Sequence, residues 1–274
     1  MNLPTITKIS RQKNNQERYN IYLDGKYEFA VDEAVLVQYE LAKDRVLEDW
    51  ERDEILFDEE VQKSFNKALH FLGFRMRSEK EVKDKLKKLG YGEAVIIEAV
   101  RKLYTLGFLN DEEFSKALMQ TKKNSNKQGP RAIQQELMKK GIDKKLQESI
   151  LNDYSEEDQL ATAREIRDKV IRKLTSKTPS QTKNKIQETL MRKGFNFEII
   201  RTVNEEVEWE TETEEWLELI SAQGEKVWDK FAKKYSGYER TMRVKQALYQ
   251  KGFPSEQIDN FIERKVNEEN GEEI

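Results

Sequence analysis

One short pattern occurs four times along this 274-residue chain and governs what it can fold into. An apolar residue is followed by another four places on, then by glycine four further on, then by an apolar residue. It reads Val82, Leu86, Gly90-Tyr91; Ile133, Leu137, Gly141-Ile142; Ile186, Leu190, Gly194-Phe195; and Val244, Leu248, Gly252-Phe253. Apolar residues four apart share one helix face, and glycine accepts the left-handed backbone that closes a helix end. The apolar residue after it folds back on that face. The glycines are 51, 53 and 58 residues apart, so the chain is a tandem array rather than one large domain.

Each patterned helix also has a marked start. Ser78-Glu79-Lys80-Glu81 and Ser236-Gly237-Tyr238-Glu239 have the form of a capping box, and Thr178-Pro179-Ser180-Gln181 adds proline in the first turn. Gly129-Pro130 opens the second copy. A helix precedes each, as in Phe65-x-x-Ala68-Leu69 and Phe114-x-x-Ala117-Leu118, less regularly around Leu160 to Leu174 and Trp216 to Phe231. Another follows: Val95, Ile96, Val100; Leu146, Ile150; Ile199, Val203; Ile258, Ile262. The reading is four three-helix repeats at residues 61–109, 110–155, 156–210 and 211–274. Ahead of them, residues 1–60 begin with loose alternation from Ile6 to Val31 broken by Asp24-Gly25, a hairpin signal. From Asp32 the period turns helical, with a second helical stretch ending at Phe57. The expected fold is mainly α: tandem three-helix repeats in an elongated, curved array behind a small N-terminal β-hairpin region.

Charged residues make up 37% and the hydrophobic set 36%, with a mean hydropathy of −0.90, too little apolar mass for one deep core. Absence of cysteine removes disulfides, thiolate catalysis and Cys-ligated zinc. The single histidine, His70, sits in a helical pattern as a packing residue, which leaves no His–His metal site and no triad. No glycine-rich phosphate loop appears, and Asp111, Glu112 and Glu113 fall at a helix start, where carboxylates complement the dipole. The expectation is a protein with no catalytic residues, metal or cofactor, hence not an enzyme. No apolar run reaches membrane-spanning length, and Met1-Asn2-Leu3-Pro4-Thr5 lacks a signal-peptide core. A cytoplasmic, monomeric protein without membrane contact is expected.

The net charge of −3 hides strong segregation. Residues 32–60 carry −9 and residues 61–140 carry +9, and Glu205 to Glu218 contains eight glutamates and no cation. In the first patterned helix Val82, Leu86 and Leu89 make the buried stripe. Lys80, Lys83 and Lys87 make a second one, and Arg75 and Arg77 precede the cap. Arg131, Lys139 and Lys140 occupy the corresponding helix of the second repeat. Pairs such as Lys80–Asp84 fit a solvated face, yet +9 exceeds local pairing and favours phosphate or acidic protein as partner. Phe74, Tyr91 and Phe108 fall at helix-end or core-pattern positions, which argues against a base-stacking platform.

Leu72-Gly73-Phe74-Arg75-Met76-Arg77-Ser78-Glu79-Lys80-Glu81-Val82, with Leu86 and Gly90-Tyr91 after it, resembles the first-repeat signature of the RecX family of recombination regulators. Leu106-Gly107-Phe108-Leu109-Asn110-Asp111-Glu112-Glu113-Phe114-Ser115 is similar to that family's junction between first and second repeats. Gly129-Pro130-Arg131-Ala132-Ile133-Gln134-Gln135-Glu136-Leu137, then Lys140-Gly141-Ile142, is similar to its second-repeat core. The motifs cover residues 61–155; residues 156–207 match more loosely as a third repeat, and the hairpin and residues 211–269 resemble the longer members. The resemblance implies a protein that binds the RecA recombinase filament on single-stranded DNA. It implies restraint of strand exchange, ATP hydrolysis and repressor self-cleavage. A general DNA-binding or architectural repeat protein draws on the same basic half, and some direct DNA affinity is compatible with both readings.

Overall fold

The computed structural model describes residues 3–209 and 213–271. The centre of the acidic stretch, residues 210–212, and with it the expected boundary at 210/211, lies outside the described residues. The chain packs as two compact units, one of residues 1–118 and 136–150, the other of residues 119–135 and 151–274.

The first unit begins with a three-stranded antiparallel sheet in the order β1 (Ile6–Arg11), β2 (Arg18–Leu23), β3 (Lys26–Asp32). Asp24 and Gly25 both take positive φ, 49° and 81°, the two-residue turn whose twist suits adjacent strands. One sheet face buries Ile6, Ile21, Phe29 and Val31 against Val35 of α1 (Glu33–Gln38), Leu41, Leu47 and Ile55. Ile55 belongs to α2 (Asp49–Leu72), and here expectation and structure differ. The helical stretch does not end at Phe57. No glycine or proline interrupts residues 50–72, so one helix serves both the sheet, through Ile55, and the first repeat, through Val61, Phe65 and Ala68. Buried Glu59 anchors it: the Arg18 guanidinium lies 2.7 Å away, Lys63 3.2 Å, and the Asp32 amide donates at 2.7 Å.

The repeats are helical triplets. The first comprises α2, α3 (Glu79–Lys88) and α4 (Glu93–Thr105); the second α5 (Asp111–Asn124), α6 (Pro130–Lys139) and α7 (Lys144–Asn152). The third comprises α8 (Glu156–Lys173), α9 (Pro179–Arg192) and α10 (Phe197–Glu205). The fourth comprises α11 (Thr213–Ala232), α12 (Gly237–Gln250) and α13 (Ser255–Asn270). The patterned apolar pairs are all buried, Val82/Leu86, Ile133/Leu137, Ile186/Leu190 and Val244/Leu248. Leu89 is not: α3 stops at Lys88, and Leu89, in the turn beyond it, is 46% exposed. Phe74 and Phe108 are likewise exposed, because they lie in the turns after α2 and α4, where helical periodicity no longer applies. Tyr91 packs half-buried against the first repeat's core. Capping boxes close at Ser78 and Thr178, whereas Ser236 makes no side-chain cap, since Gly237 at the helix start takes φ +52°.

Gly90, Gly141, Gly194 and Gly252 have φ of 88°, 79°, 88° and 83° at the ends of α3, α6, α9 and α12. The next amide in each case donates back to the second apolar residue of the pattern, as Ile142 does to Leu137 at 3.1 Å and Phe195 to Leu190 at 3.1 Å. Three of these closed ends are also seats. The Ser78 hydroxyl donates to the Lys140 carbonyl at 2.7 Å, and a Cβ on Gly141 would lie 2.7 Å from Lys80 Cβ. The Gly129 amide donates to the Lys193 carbonyl at 2.8 Å and that of Arg131 to Gly194 at 3.1 Å; a Cβ on Gly194 would stand 2.4 Å from the Ala132 nitrogen. The Thr178 hydroxyl donates to the Lys251 carbonyl, and a Cβ on Gly252 would meet Ser180 Cβ at 2.5 Å. Gly90 has nothing within 4 Å.

Two substitutions separate backbone conformation from close approach. Gly90→Ala should cost only the left-handed penalty, about 1–2 kcal/mol. Gly194→Ala should cost about 1–3 kcal/mol more, because the methyl meets backbone that cannot swing aside. Denaturant unfolding of both variants reads the difference; equal losses would contradict the seat.

Candidate functional site

Helix α3 is only ten residues long, and its two faces have opposite jobs. Val82 and Leu86 are fully buried, while Lys80, Lys83 and Lys87 lie on another side, one helical turn apart. Lys80 pairs with Asp84 at 2.9 Å and Lys83 with Glu79 at 2.5 Å, both on partly exposed side chains. Such pairs hold their cations weakly, by about 1 kcal/mol or less. Lys87 is exposed, and its ammonium has no partner among the described residues.

Arg75, Arg77 and Lys140 behave differently. All three converge on Glu81: Arg75 Nη2 at 2.8 Å, Lys140 Nζ at 2.9 Å, Arg77 Nη1 at 3.9 Å. Glu81 also accepts from the Ser78 amide at 3.2 Å, completing the capping box. Burial alone would raise this carboxyl, but the hydrogen bonds from Arg75, Lys140 and Ser78 outweigh it and bring the pKa to about 2. Arg77 further lies over the Phe71 ring, 4.2 Å from its centroid. These three cations are thus brought together, but around a carboxylate that fastens α3 to the end of α6. Lys139 stays out at the surface, 3.5 Å from Glu136. Arg131, in the second compact unit, commits its backbone amide to Gly194 while its exposed side chain has no partner among the described residues.

Sequence reasoning missed one further group. The Glu79 amide donates to Asp111 Oδ1 at 2.8 Å, so a carboxylate in the first turn of α5 also caps α3. Asn110 caps α5 itself, accepting from the amides of Glu112 and Glu113 at 3.0 and 3.1 Å. Burial pushes the Asp111 carboxyl up, and the neighbouring Glu79 charge adds to this against the amide donor. Tyr104 donates to Glu79 at 2.9 Å, and burial raises its phenol strongly. Asn110 ahead of Asp111 was the available signal. Among the described residues no group of three His, Asp or Glu side chains is disposed to hold a metal ion, and no helix is long and apolar enough to cross a membrane. The arrangement leaves a cationic face on α3.

The low pKa of Glu81 makes its contribution pH-dependent with a definite sign. A folded-state value below the ordinary 4.5 stabilises the fold above that pH, and the benefit is lost as pH falls toward 2. Urea unfolding of the parent and Glu81→Gln should show a stability gap that is full at pH 5 and above and closes toward pH 2. A gap independent of pH would contradict the assigned role.

Family models match along the chain in order. "Regulatory protein RecX N-terminal domain" matches residues 4–48, and the first and second RecX three-helix domains match residues 65–103 and 110–151. The third RecX three-helix domain matches twice, at residues 156–203 and 213–262. "Regulatory protein RecX" of Bacillus velezensis is 41% identical over 262 residues, covering 95% of this chain and 99% of that protein. The protein of the same description from Bacillus subtilis is 41% identical, covering 95% and 98%. A crystal structure of regulatory protein RecX superposes with a TM-score of 0.67 at 30% identity, covering 74% of this chain and all of that one. RecX from Lactobacillus salivarius gives a TM-score of 0.52 at 32% identity, covering 54% and 97%.

Proposed function

The chain belongs to the RecX family of regulatory proteins, and from that premise we propose that it is a negative regulator of the RecA recombinase. In this reading it binds the RecA filament on single-stranded DNA and restrains strand exchange, ATP hydrolysis and coprotease activity. It works without catalysis or cofactor, as a monomer in the cytoplasm. Its modules are residues 1–60, 61–109, 110–155, 156–210 and 211–274, with α2 running from the first into the second.

The observation that carries the reading is the match of the RecX domains in unbroken order along the chain. The α3 face supplies a contact of suitable chemistry, because a filament presents phosphates and acidic protein surface, and Lys80, Lys83 and Lys87 are free or loosely held. Arg131 and Lys139 extend the set in the second repeat. Arg75, Arg77 and Lys140 support that face from behind through Glu81.

A general DNA-binding or architectural role is the second reading, favoured by the unpartnered cations Lys87 and Arg131. Binding to bare and to RecA-coated single-stranded DNA, each followed against salt, separates the two. Preference for the filament is expected; a steep salt slope on bare DNA with no such preference would favour the alternative. Reversing charge in the double variant Lys83→Glu, Lys87→Glu should weaken inhibition of strand exchange several-fold. The thermal midpoint should move little, since both the pair Lys83 loses and the repulsion of Glu79 that replaces it act between partly exposed side chains. Undiminished inhibition would place the contact elsewhere.

A further inference from the structure

Cations in the fourth repeat fall into two sets. Residues 213–271 hold ten basic and eleven acidic residues, so composition alone predicts mutual neutralisation. On α12 and α13 this happens: Arg240 pairs with Glu269, Arg243 with Glu239, Lys245 with Asp259, and Arg264 and Lys265 with Glu225 and Glu268. Lys226 and Lys230, one turn apart on α11, have no carboxylate partner among the described residues, nor have Lys233 and Lys234 just beyond it. Two more lysines face the same stripe. Lys177 comes from the loop between α8 and α9, and Lys251 from the end of α12. Lys251 is half-buried and held by Gln223, whose Oε1 accepts from its ammonium at 3.3 Å. Gln223 is itself buried and fixed by donating to the Ser176 carbonyl at 3.0 Å. Burial, and then the like charges of Lys177, Lys226 and Lys230, lower the pKa of Lys251, and no carboxylate opposes them.

We propose that Lys177, Lys226, Lys230 and Lys251 form a binding site for the backbone phosphates of single-stranded DNA. Like charges gathered from three elements and held by a buried amide oppose folding, and a bound polyanion offsets that cost. The donors are lysines, point charges that bind phosphate without the planar two-point match that arginine makes to carboxylate and phosphate alike. Lys226 and Lys230 stand about 6 Å apart along α11 at 1.5 Å per residue, with Lys233 and Lys234 in the turn beyond it and Lys177 and Lys251 supplied by two other elements. Cations spread over three elements fit a chain of charges better than one small anion. The site rests on the nucleic-acid half of the regulatory reading and needs no recombinase.

The test is equilibrium binding of the full chain to a short oligothymidylate, without RecA, across a salt series. In the triple variant Lys177→Gln, Lys226→Gln, Lys230→Gln the log–log salt slope should fall in magnitude by about 2, near 0.7 for each lost contact. Affinity at 0.1 M salt should fall by about ten- to a hundredfold. A control of equal charge loss, Lys13→Gln, Lys26→Gln, Lys43→Gln in the N-terminal region, should keep the parent slope. Thermal midpoints of the cluster variant should not fall, because its lysines are exposed and their removal relieves repulsion. An unchanged slope, or an equal loss in the control, would overturn the site. Polyglutamate bound as tightly through the same lysines would overturn DNA as its ligand in favour of an acidic protein. With no RecA in the assay, none of these results bears on the regulatory reading.

Discussion

Three times in this chain, the start of one patterned helix rests on the glycine-closed end of the next repeat's patterned helix. The interaction is small, a hydroxyl or amide donating to the last carbonyls, but it joins the positive end of one helix to the negative end of another. It also explains why glycine recurs for two reasons at once. The left-handed turn wants glycine for its φ, and the arriving backbone wants it because no Cβ fits. Gly90, in the first repeat, has the first reason without the second.

The same joint sorts the charges. Where α3 meets the end of α6, Glu81 draws in Arg75, Arg77 and Lys140, so three of the eight cations that look available in the sequence are used internally. A buried-side carboxylate with several donors fixes geometry, whereas exposed pairs one turn apart on a helix do little beyond keeping side chains in place. The cations that the joint does not reach are held only loosely or not at all. On α3 these are Lys80, Lys83 and Lys87; near the end of α12 and along α11 they are the lysines around Gln223.

What was legible in the sequence was whatever depends on neighbours a few residues apart. The apolar pairs, the closing glycines, the Ser78 and Thr178 caps and the Asp24-Gly25 turn are of this kind. Leu89 misled because periodicity continues on paper one residue beyond the point where α3 ends. Phe74 and Phe108 lie just past helix ends, as read, but the turns there leave both exposed. The unbroken run of α2 depends on a partner surface that local reading does not supply. Long-range pairings were invisible: Glu81 with Lys140 lies 59 residues apart, and Gln223 reaches Ser176 across 47. Asp111 shows the intermediate case, a first-turn carboxylate of α5, as read, that also caps α3 from a distance no local pattern gives.

The central claim, that this chain acts by binding the RecA filament, is tested most directly by RecA-dependent ATP hydrolysis on single-stranded DNA titrated with this protein. Hydrolysis should fall progressively and saturably as the protein is added, at concentrations below those needed to coat bare DNA. Hydrolysis that stays at its starting rate while the protein is bound to the DNA would contradict the account.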